Sequence, residues 1–140
     1  MKALLAVDGS AQALRAARTL VDLAKHCADT RAHVLNVQPH MLYVALLGEE
    51  GQAPIERWVQ ERGKEATESA CEVLTDAGVP FEVEVVSADA PLAIARIALE
   101  RHCDFILMGT RGMGAIAGMA LGSVATKVVH LADLPVTLVK

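Results

Sequence analysis

The chain has 140 residues, which suits a single domain over residues 1–140 with a substantial core. Apolar residues make up 53% of it but aromatic residues only 3%, so the core must be built from alanine, valine, leucine and isoleucine. A net charge of -4, with no cluster of lysine and arginine, argues against nucleic-acid binding, because phosphate backbones are bound by clustered positive charge.

The sequence predicts neither a secretion signal nor a membrane span. Its start, MKALLAVDGS, has too short an apolar run for a signal peptide and favours a first strand. The nearly uncharged run from Gly112 to Thr126 is shorter than the roughly 20 residues that cross a bilayer. Three cysteines without CxxC spacing, Cys27, Cys71 and Cys103, fit buried thiols in a reducing compartment. We therefore expect a soluble, cytoplasmic protein.

Strands and helices alternate from the start of the chain. Lys2 to Val7 is apolar on both faces, which is typical of a central strand in a parallel sheet. Ser10 is expected to cap a helix over residues 11–28, in which apolar residues recur at helical spacing. A second strand is predicted from Ala32 to Val37. Residues 40–52 contain glycines and no clear periodicity, which predicts a mobile connection.

The second half of the chain continues the alternation. A long helix is predicted from Pro54, in its first turn, to a stop at Gly78. In the third strand, Phe81 to Val86, glutamates alternate with apolar residues, which predicts an edge strand with one face in water. The remaining predicted elements are a helix capped by Asp89 with Pro91 in its first turn, a strand from Asp104 to Met108, a helix from Ser123 to Ala132 and a strand from Pro135 to Val139. This order predicts an α/β protein with a three-layer parallel sheet.

A glycine-rich stretch follows the fourth strand and carries the clearest functional signal. Before Ser123 opens a helical pattern, the chain has glycines at positions 109, 112, 114, 118 and 122. Glycine lets an anion approach main-chain N–H groups, and a helix N-terminus adds unpaired donors and the positive end of its dipole. The spacing matches neither GxxxxGK[ST] nor GxGxxG, so a flexible loop or a close helix contact stands as the alternative to a phosphate site.

The pattern Gly109, Gly112, Gly122-Ser123, followed by PVTLV at residues 135–139, resembles the universal stress protein family in its nucleotide-binding branch. The resemblance extends to LLAVDGS at residues 4–10 and covers essentially the whole chain. It implies the adenine nucleotide alpha hydrolase-like fold, a doubly wound five-stranded parallel sheet in the order 3-2-1-4-5. The winding then reverses between the first and fourth strands, where open α/β sheets bind ligands at the strands' carboxyl ends.

This placement, with the resemblance, predicts an adenine nucleotide site. Asp8 is expected to accept hydrogen bonds from the adenosine part; its alternative role is to cap the adjacent turn. The resemblance implies that the Val37 main chain meets the adenine edge, that residues 109–114 wrap the α and β phosphates and that Gly122-Ser123 close on the terminal one. Arg111 either screens the phosphates or extends into solvent. The candidate cofactor-binding residues are Ala6, Val7, Asp8, Ser10, Val37, Met108, Gly109, Arg111, Gly112, Gly114, Gly122, Ser123 and Val124.

The expected cofactor is ATP, or AMP or ADP, with Mg²⁺ or Mn²⁺ because one arginine does not balance the charge of a triphosphate. We expect no catalytic residue: the GxSxG and HxGH motifs are absent, and any ATP hydrolysis should be slow. The leading hypothesis is an ATP-binding regulatory or sensing module of a stress response. The alternatives are a slow ATPase or phosphotransferase and a protein-interaction module without nucleotide, although the glycine pattern argues against the latter.

Two further features concern metals and assembly. His26-Cys27 and His102-Cys103 contain zinc-ligand types, but they follow helices expected on opposite faces of the sheet, so we expect structural roles and no metal site. The last strand, Val136 to Val139, is apolar on both faces and lacks the charges that block edge pairing. It predicts a homodimer in which this strand pairs with its copy, as the resemblance also implies.

Overall fold

The computed structural model describes residues 1–39, 52–112 and 121–140. Its elements in chain order are β1 (Lys2–Ala6), α1 (Ala11–Ala24), β2 (Arg31–Gln38), α2 (Gln52–Asp76), β3 (Phe81–Ser87), α3 (Ala90–Glu100), β4 (Phe105–Gly109), α4 (Ser123–Leu131) and β5 (Val136–Val139). The predicted alternation of strands and helices is confirmed. The connection expected over residues 40–52 lies outside the described residues, except for Gln52, which begins α2.

The strands form one parallel sheet in the order β3-β2-β1-β4-β5, which confirms the expected fold class. β1 lies at the centre, where Leu5 is opposite Val34 of β2 and Leu107 of β4. The chain winds outward from β1 to β3 and then crosses back to β4. The winding therefore reverses between β1 and β4, whose carboxyl ends lie side by side.

The core consists of two apolar layers, one on each face of the sheet, because successive strand residues point to opposite faces. Leu5 of β1 packs in one layer with Leu20 of α1 and Leu74 of α2, and all three are fully buried. Leu4 packs in the other layer with Ile97 of α3 and residues of α4. Burying each such side chain contributes about 1.5–3 kcal/mol, so the two layers hold the helices against the sheet.

Two helices differ in length from the prediction. α1 ends at Ala24 rather than at residue 28, and the following turn contains Asp29 at a φ of 57°. α2 begins two residues before Pro54, and its predicted stop is confirmed: Gly78 has a φ of 67° and its N–H donates to the Thr75 carbonyl at 3.0 Å. No helix within the described ranges is both long and apolar enough to cross a membrane.

β3 lies at the sheet edge as predicted, but the expectation that its glutamate face meets water was wrong for Glu84. That carboxylate is partly buried, accepts a hydrogen bond from Arg101 Nε at 2.9 Å and lies 2.7 Å from Nε2 of the buried His33. Val83, expected on the covered face, is instead 46% exposed. The hydrogen bond from Arg101, with a smaller contribution from His33, holds the pKa of Glu84 below its usual value.

Candidate functional site

A crevice of about 1010 Å³ opens at the carboxyl ends of β1, β2 and β4. The N-termini of α1 and α4, one side of α2 and residues 88–91 at the start of α3 line its walls. It lies where the winding of the sheet reverses, the place at which open α/β sheets bind ligands. The structure brings together at this crevice all the candidate residues that it describes, namely Ala6, Val7, Asp8, Ser10, Val37, Met108, Gly109, Arg111, Gly112, Gly122, Ser123 and Val124, while Gly114 lies outside the described residues.

The turn between β1 and α1 is held by its own side chains. Ser10 caps α1 as predicted, since its Oγ accepts a hydrogen bond from the Ala13 N–H at 3.1 Å. Asp8 Oδ1 accepts from the Ser10 N–H at 3.0 Å, so the capping role considered for Asp8 is present. Its other oxygen, Oδ2, lies against Gly112, where an added Cβ would collide with it. The end of β1 therefore meets Gly112, as the nucleotide site predicted from the sequence requires.

Gly109, at the end of β4, has a packing role that the sequence did not predict. A Cβ at this position would lie 2.6 Å from Cβ of Gln12 and 3.0 Å from the Gln12 carbonyl carbon. The absent side chain thus lets the first turn of α1 pack against the end of β4. This contact explains the glycine without any ligand, and its expected contact with phosphate stays a prediction.

The N-terminus of α4 lacks the side-chain cap that α1 has. Its N-cap residue is Gly122, with an ordinary φ of -74° and no side chain to accept a hydrogen bond. The Gly122 N–H donates to the Thr110 carbonyl at 2.7 Å, and the first bond of the helix runs from the Thr126 N–H to the Gly122 carbonyl. Within the described ranges, the N–H groups of residues 123–125 have no acceptor, and these residues line the crevice.

Three positively charged side chains of the described residues line the same crevice. Arg111 lines the crevice, and its buried Nε has no hydrogen-bond partner within the described ranges. Arg62 of α2 and Lys127 of α4 also line the crevice, and sequence reasoning missed both. Lys127 could have been found, because it follows Ser123 by four residues and so shares its helix face. The acidic side chains that line the same crevice are Asp8, Glu65 and Asp89.

Two amide side chains lie at the end of β2, and sequence reasoning missed these as well. Asn36 is 1% exposed, and its Nδ2 donates to the Val7 carbonyl at 2.8 Å. Gln38 Nε2 donates to Asn36 Oδ1 at 2.7 Å. Val37, which lies between them, also lines the crevice, and its side chain packs on the opposite face of the sheet.

Metal ligands do not gather in the described ranges: no three histidine, cysteine or acidic side chains lie close enough there to hold an ion. α1 and α3, which precede the two His-Cys pairs, pack on opposite faces of the sheet as expected. Burial raises the pKa of the Cys103 thiol, so it stays protonated near neutral pH. A protonated Cys103 thiol packed in an apolar layer fits a structural role.

The whole chain is similar to proteins of one known family. The model of the universal stress protein family matches residues 1–140. A universal stress protein of Thermus aquaticus is 36% identical over 138 residues, which cover 98% of this chain and 96% of that protein. The structure of hypothetical protein MJ0577 is similar with a TM-score of 0.86 at 25% identity, covering 99% of this chain and 94% of that one. A universal stress protein from Archaeoglobus fulgidus, solved in complex with dAMP, has a TM-score of 0.72 at 22% identity, covering 100% of this chain and 98% of that one.

Proposed function

Because the chain belongs to the universal stress protein family, we propose that its crevice binds an adenine nucleotide, and specifically ATP. The observation that carries the proposal is that, among the residues the structure describes, the first turn of α4 has no side-chain cap and the buried Nε of Arg111 has no partner, and both line the same crevice. Both need hydrogen-bond acceptors, and the oxygens of a phosphate supply them.

The phosphates occupy the end of the crevice formed by α4 and the residues after β4. The N–H groups of residues 123–125 point out of the helix end, where its dipole favours negative charge. The Ser123 hydroxyl is a further donor, and Arg111 and Lys127 supply positive charge. A hydrogen bond to a charged group contributes about 1.5–3 kcal/mol, so a few such bonds suffice for micromolar binding.

The base lies at the end of β2, beside the Val37 main chain. An extended strand presents the N–H and C=O of one residue to the same side, which offers a donor next to an acceptor. The amino-bearing edge of adenine carries the complementary pair, an amino donor beside a ring-nitrogen acceptor. Asp8, at the end of the neighbouring strand, accepts hydrogen bonds from the ribose.

The relative from Archaeoglobus fulgidus was solved with dAMP, which supports the ligand class. The preference for a triphosphate is a separate part of the proposal and rests on the spread of positive charge from Arg111 to Lys127. Mg²⁺ or Mn²⁺ accompanies the triphosphate and neutralises part of its charge. The ion binds chiefly to the phosphate oxygens, because within the described ranges no three histidine, cysteine or acidic side chains lie close enough to hold it by themselves.

We propose binding rather than turnover, with nucleotide occupancy serving a regulatory or sensing role in a cytoplasmic stress response. The competing activity is a slow ATPase or phosphotransferase. Radiolabelled ATP incubated for hours with the protein and Mg²⁺ or Mn²⁺ distinguishes them. Intact ATP supports the binding module, and release of labelled phosphate at more than the rate of a Gly122→Asp control supports the enzyme.

We also propose a homodimer that forms through β5. This strand pairs with β4 on one side, and its other edge has no partner within the described ranges. Val129 and Leu131 of the adjacent α4 are 47% and 45% exposed, and a second copy paired along β5 would shield apolar surface of this kind. Sedimentation velocity at micromolar concentration tests this: a dimer is expected, and a monomer alone contradicts it.

The nucleotide itself is tested by two measurements. Protein purified without added nucleotide is denatured, and the released small molecules are identified by mass spectrometry. Calorimetric titration of nucleotide-free protein with ATP, ADP, AMP and GTP then ranks the ligands. We expect an adenine nucleotide in the first experiment and ATP as the tightest ligand in the second. Equal affinity for GTP would contradict the base assignment, and no binding at all would contradict the proposed function.

A further inference from the structure

The hydrogen-bond ladder between β1 and β2 stops one step early. The Val7 N–H donates to the Leu35 carbonyl at 2.9 Å, which is the last bond of the ladder. In a regular parallel ladder the next bond would run from the Val37 N–H to the Val7 carbonyl. That carbonyl accepts instead from Nδ2 of Asn36, at 2.8 Å. A side chain therefore takes the place of the main-chain donor.

The orientation of the Asn36 amide is fixed by its second partner. Gln38 Nε2 donates to Asn36 Oδ1 at 2.7 Å, so the oxygen is occupied and the nitrogen must face the Val7 carbonyl. Asn36 is 1% exposed, and a buried amide of this kind is costly unless it is fully hydrogen-bonded. A leucine has the same branching and number of side-chain heavy atoms and would need no such partners, so hydrogen bonding rather than packing explains the amide.

We propose that Asn36 is a positioning residue for the nucleotide base. By occupying the Val7 carbonyl, it keeps the Val37 N–H out of the ladder, so that the N–H and C=O of Val37 remain available to the base edge. Gln38 assists by holding the Asn36 amide in the orientation that does this. This inference rests on the proposed function, because it assigns a role within that same site.

The test compares wild type and Asn36→Leu with three ligands: ATP, 1-deaza-ATP and 7-deaza-ATP. The two analogues each lack one ring-nitrogen acceptor on the amino-bearing edge of the base. Wild type is expected to bind one analogue about two- to twelve-fold more weakly than ATP, the value of one neutral hydrogen bond. In Asn36→Leu the Val37 N–H pairs with Val7, so ATP should fall to the affinity of that analogue while the analogue's own affinity is unchanged. A merely structural role would weaken all three ligands equally, and that result overturns the inference.

Hydrogen exchange of the unliganded protein provides a second measurement. The Val37 amide should exchange fast in wild type and slowly in Asn36→Leu; protection equal to that of the Leu35 amide in wild type overturns the inference. Should Asn36→Leu fail to fold, Gln38→Leu should lose part of the discrimination between ATP and the analogue, and full wild-type discrimination in that variant counts against the inference.

Thr67→Val is the matched control, because Thr67 is 3% exposed and donates to the Gly63 carbonyl on α2 without lining the crevice. If wild type binds none of the three ligands, the proposed function has failed, whereas discrimination retained in Asn36→Leu shows that only this inference has failed.

Discussion

The N-termini of α1 and α4 open on the same crevice but treat their unpaired donors in opposite ways. At α1, Ser10 Oγ accepts the Ala13 N–H and Asp8 Oδ1 accepts the Ser10 N–H, so two N–H groups of this turn have side-chain acceptors. At α4, the N-cap is Gly122, which has no side chain with which to accept. A helix start whose main-chain N–H groups have side-chain acceptors gains stability. One whose N–H groups lack such acceptors offers a binding site for an anion. We therefore expect the N-terminus of α1 to stabilise the fold and the N-terminus of α4 to bind the ligand.

Giving α4 a cap of its own should have the largest effect. In Gly122→Asp the carboxylate accepts from the first-turn N–H groups and repels phosphate. A Cβ there meets Arg111 Cα and the Thr110 carbonyl oxygen at 3.4 Å and the Gly112 nitrogen at 3.8 Å, which are ordinary contacts. Losing two charge-assisted hydrogen bonds of about 1.5 kcal/mol each lowers ATP affinity about a hundred-fold. Calorimetric titration measures this. Gly122→Asn, a neutral cap of similar size, is the control and should lose less. An aspartate variant with wild-type ATP affinity would contradict the assignment of α4.

Adding a side chain at Gly109 should damage the fold rather than the ligand contact. Gly109→Val drives a β-branched side chain into Gln12 of α1, and such overpacking typically costs about 1–3 kcal/mol. Urea unfolding of the nucleotide-free protein measures the loss in the free energy of unfolding. Gly122→Ala is the control, since its Cβ has space, and should lose about 1 kcal/mol or less, because alanine is only a poorer N-cap than glycine. Equal stability of the two variants would show that the contact between β4 and α1 is misjudged.

The two serines at the helix starts should separate stability from binding. Ser10→Ala removes the cap of α1 and should lower the free energy of unfolding by about 1 kcal/mol. Ser123→Ala removes an exposed hydroxyl that makes no capping hydrogen bond within the described ranges, so it should leave stability within about 0.5 kcal/mol of wild type. Its expected effect is a loss of ATP affinity of about two- to twelve-fold. Urea unfolding of both variants measures stability, and calorimetric titration measures ATP affinity. A Ser123→Ala variant less stable than Ser10→Ala would contradict the roles assigned to the two helix starts.

Glu84, which does not line the crevice, should affect stability but not ATP binding, and its effect should be the smallest of those predicted here. The pKa of Glu84 in the folded state is lowered, chiefly by Arg101 and also by His33. Its ionised form therefore stabilises the fold above the pKa of about 4.3 that a glutamate has in the unfolded chain. This stability is lost as the pH falls through the folded-state pKa. Glu84→Gln should therefore unfold more easily than wild type at pH 7, with the difference shrinking below about pH 4. Unfolding at several pH values measures this. A difference that grew on acidification would contradict the sign.

The order and type of the elements could be predicted because they depend on local signals. Apolar runs and helical periodicity located the strands and helices, and Ser10, Gly78 and Asp89 marked helix ends that the structure confirms. The sheet order came from resemblance rather than periodicity, which contains no information about which strands become neighbours. α1 was predicted four residues too long because apolar spacing continues to Ala28 past the end of the helix.

What could not be predicted depends on contacts between distant segments. The reason for glycine at position 109 lies on α1, nearly a hundred residues earlier in the chain. Similarly, Glu84 reads as a solvated strand residue until His33 and Arg101 are brought beside it by two other elements. Asn36 is polar within an apolar strand, which could have been noticed, but its acceptor on Val7 becomes visible only in the folded chain.

The most direct test of the contrast between the helix ends is main-chain amide NMR during titration with ATP. We predict that the amides of Ser123, Val124 and Ala125 shift and gain protection from hydrogen exchange as ATP binds. The Ala13 amide, already bonded to Ser10, should keep its exchange rate. Saturation with ATP that leaves the α4 amides unchanged, or that protects only the start of α1, would contradict the account.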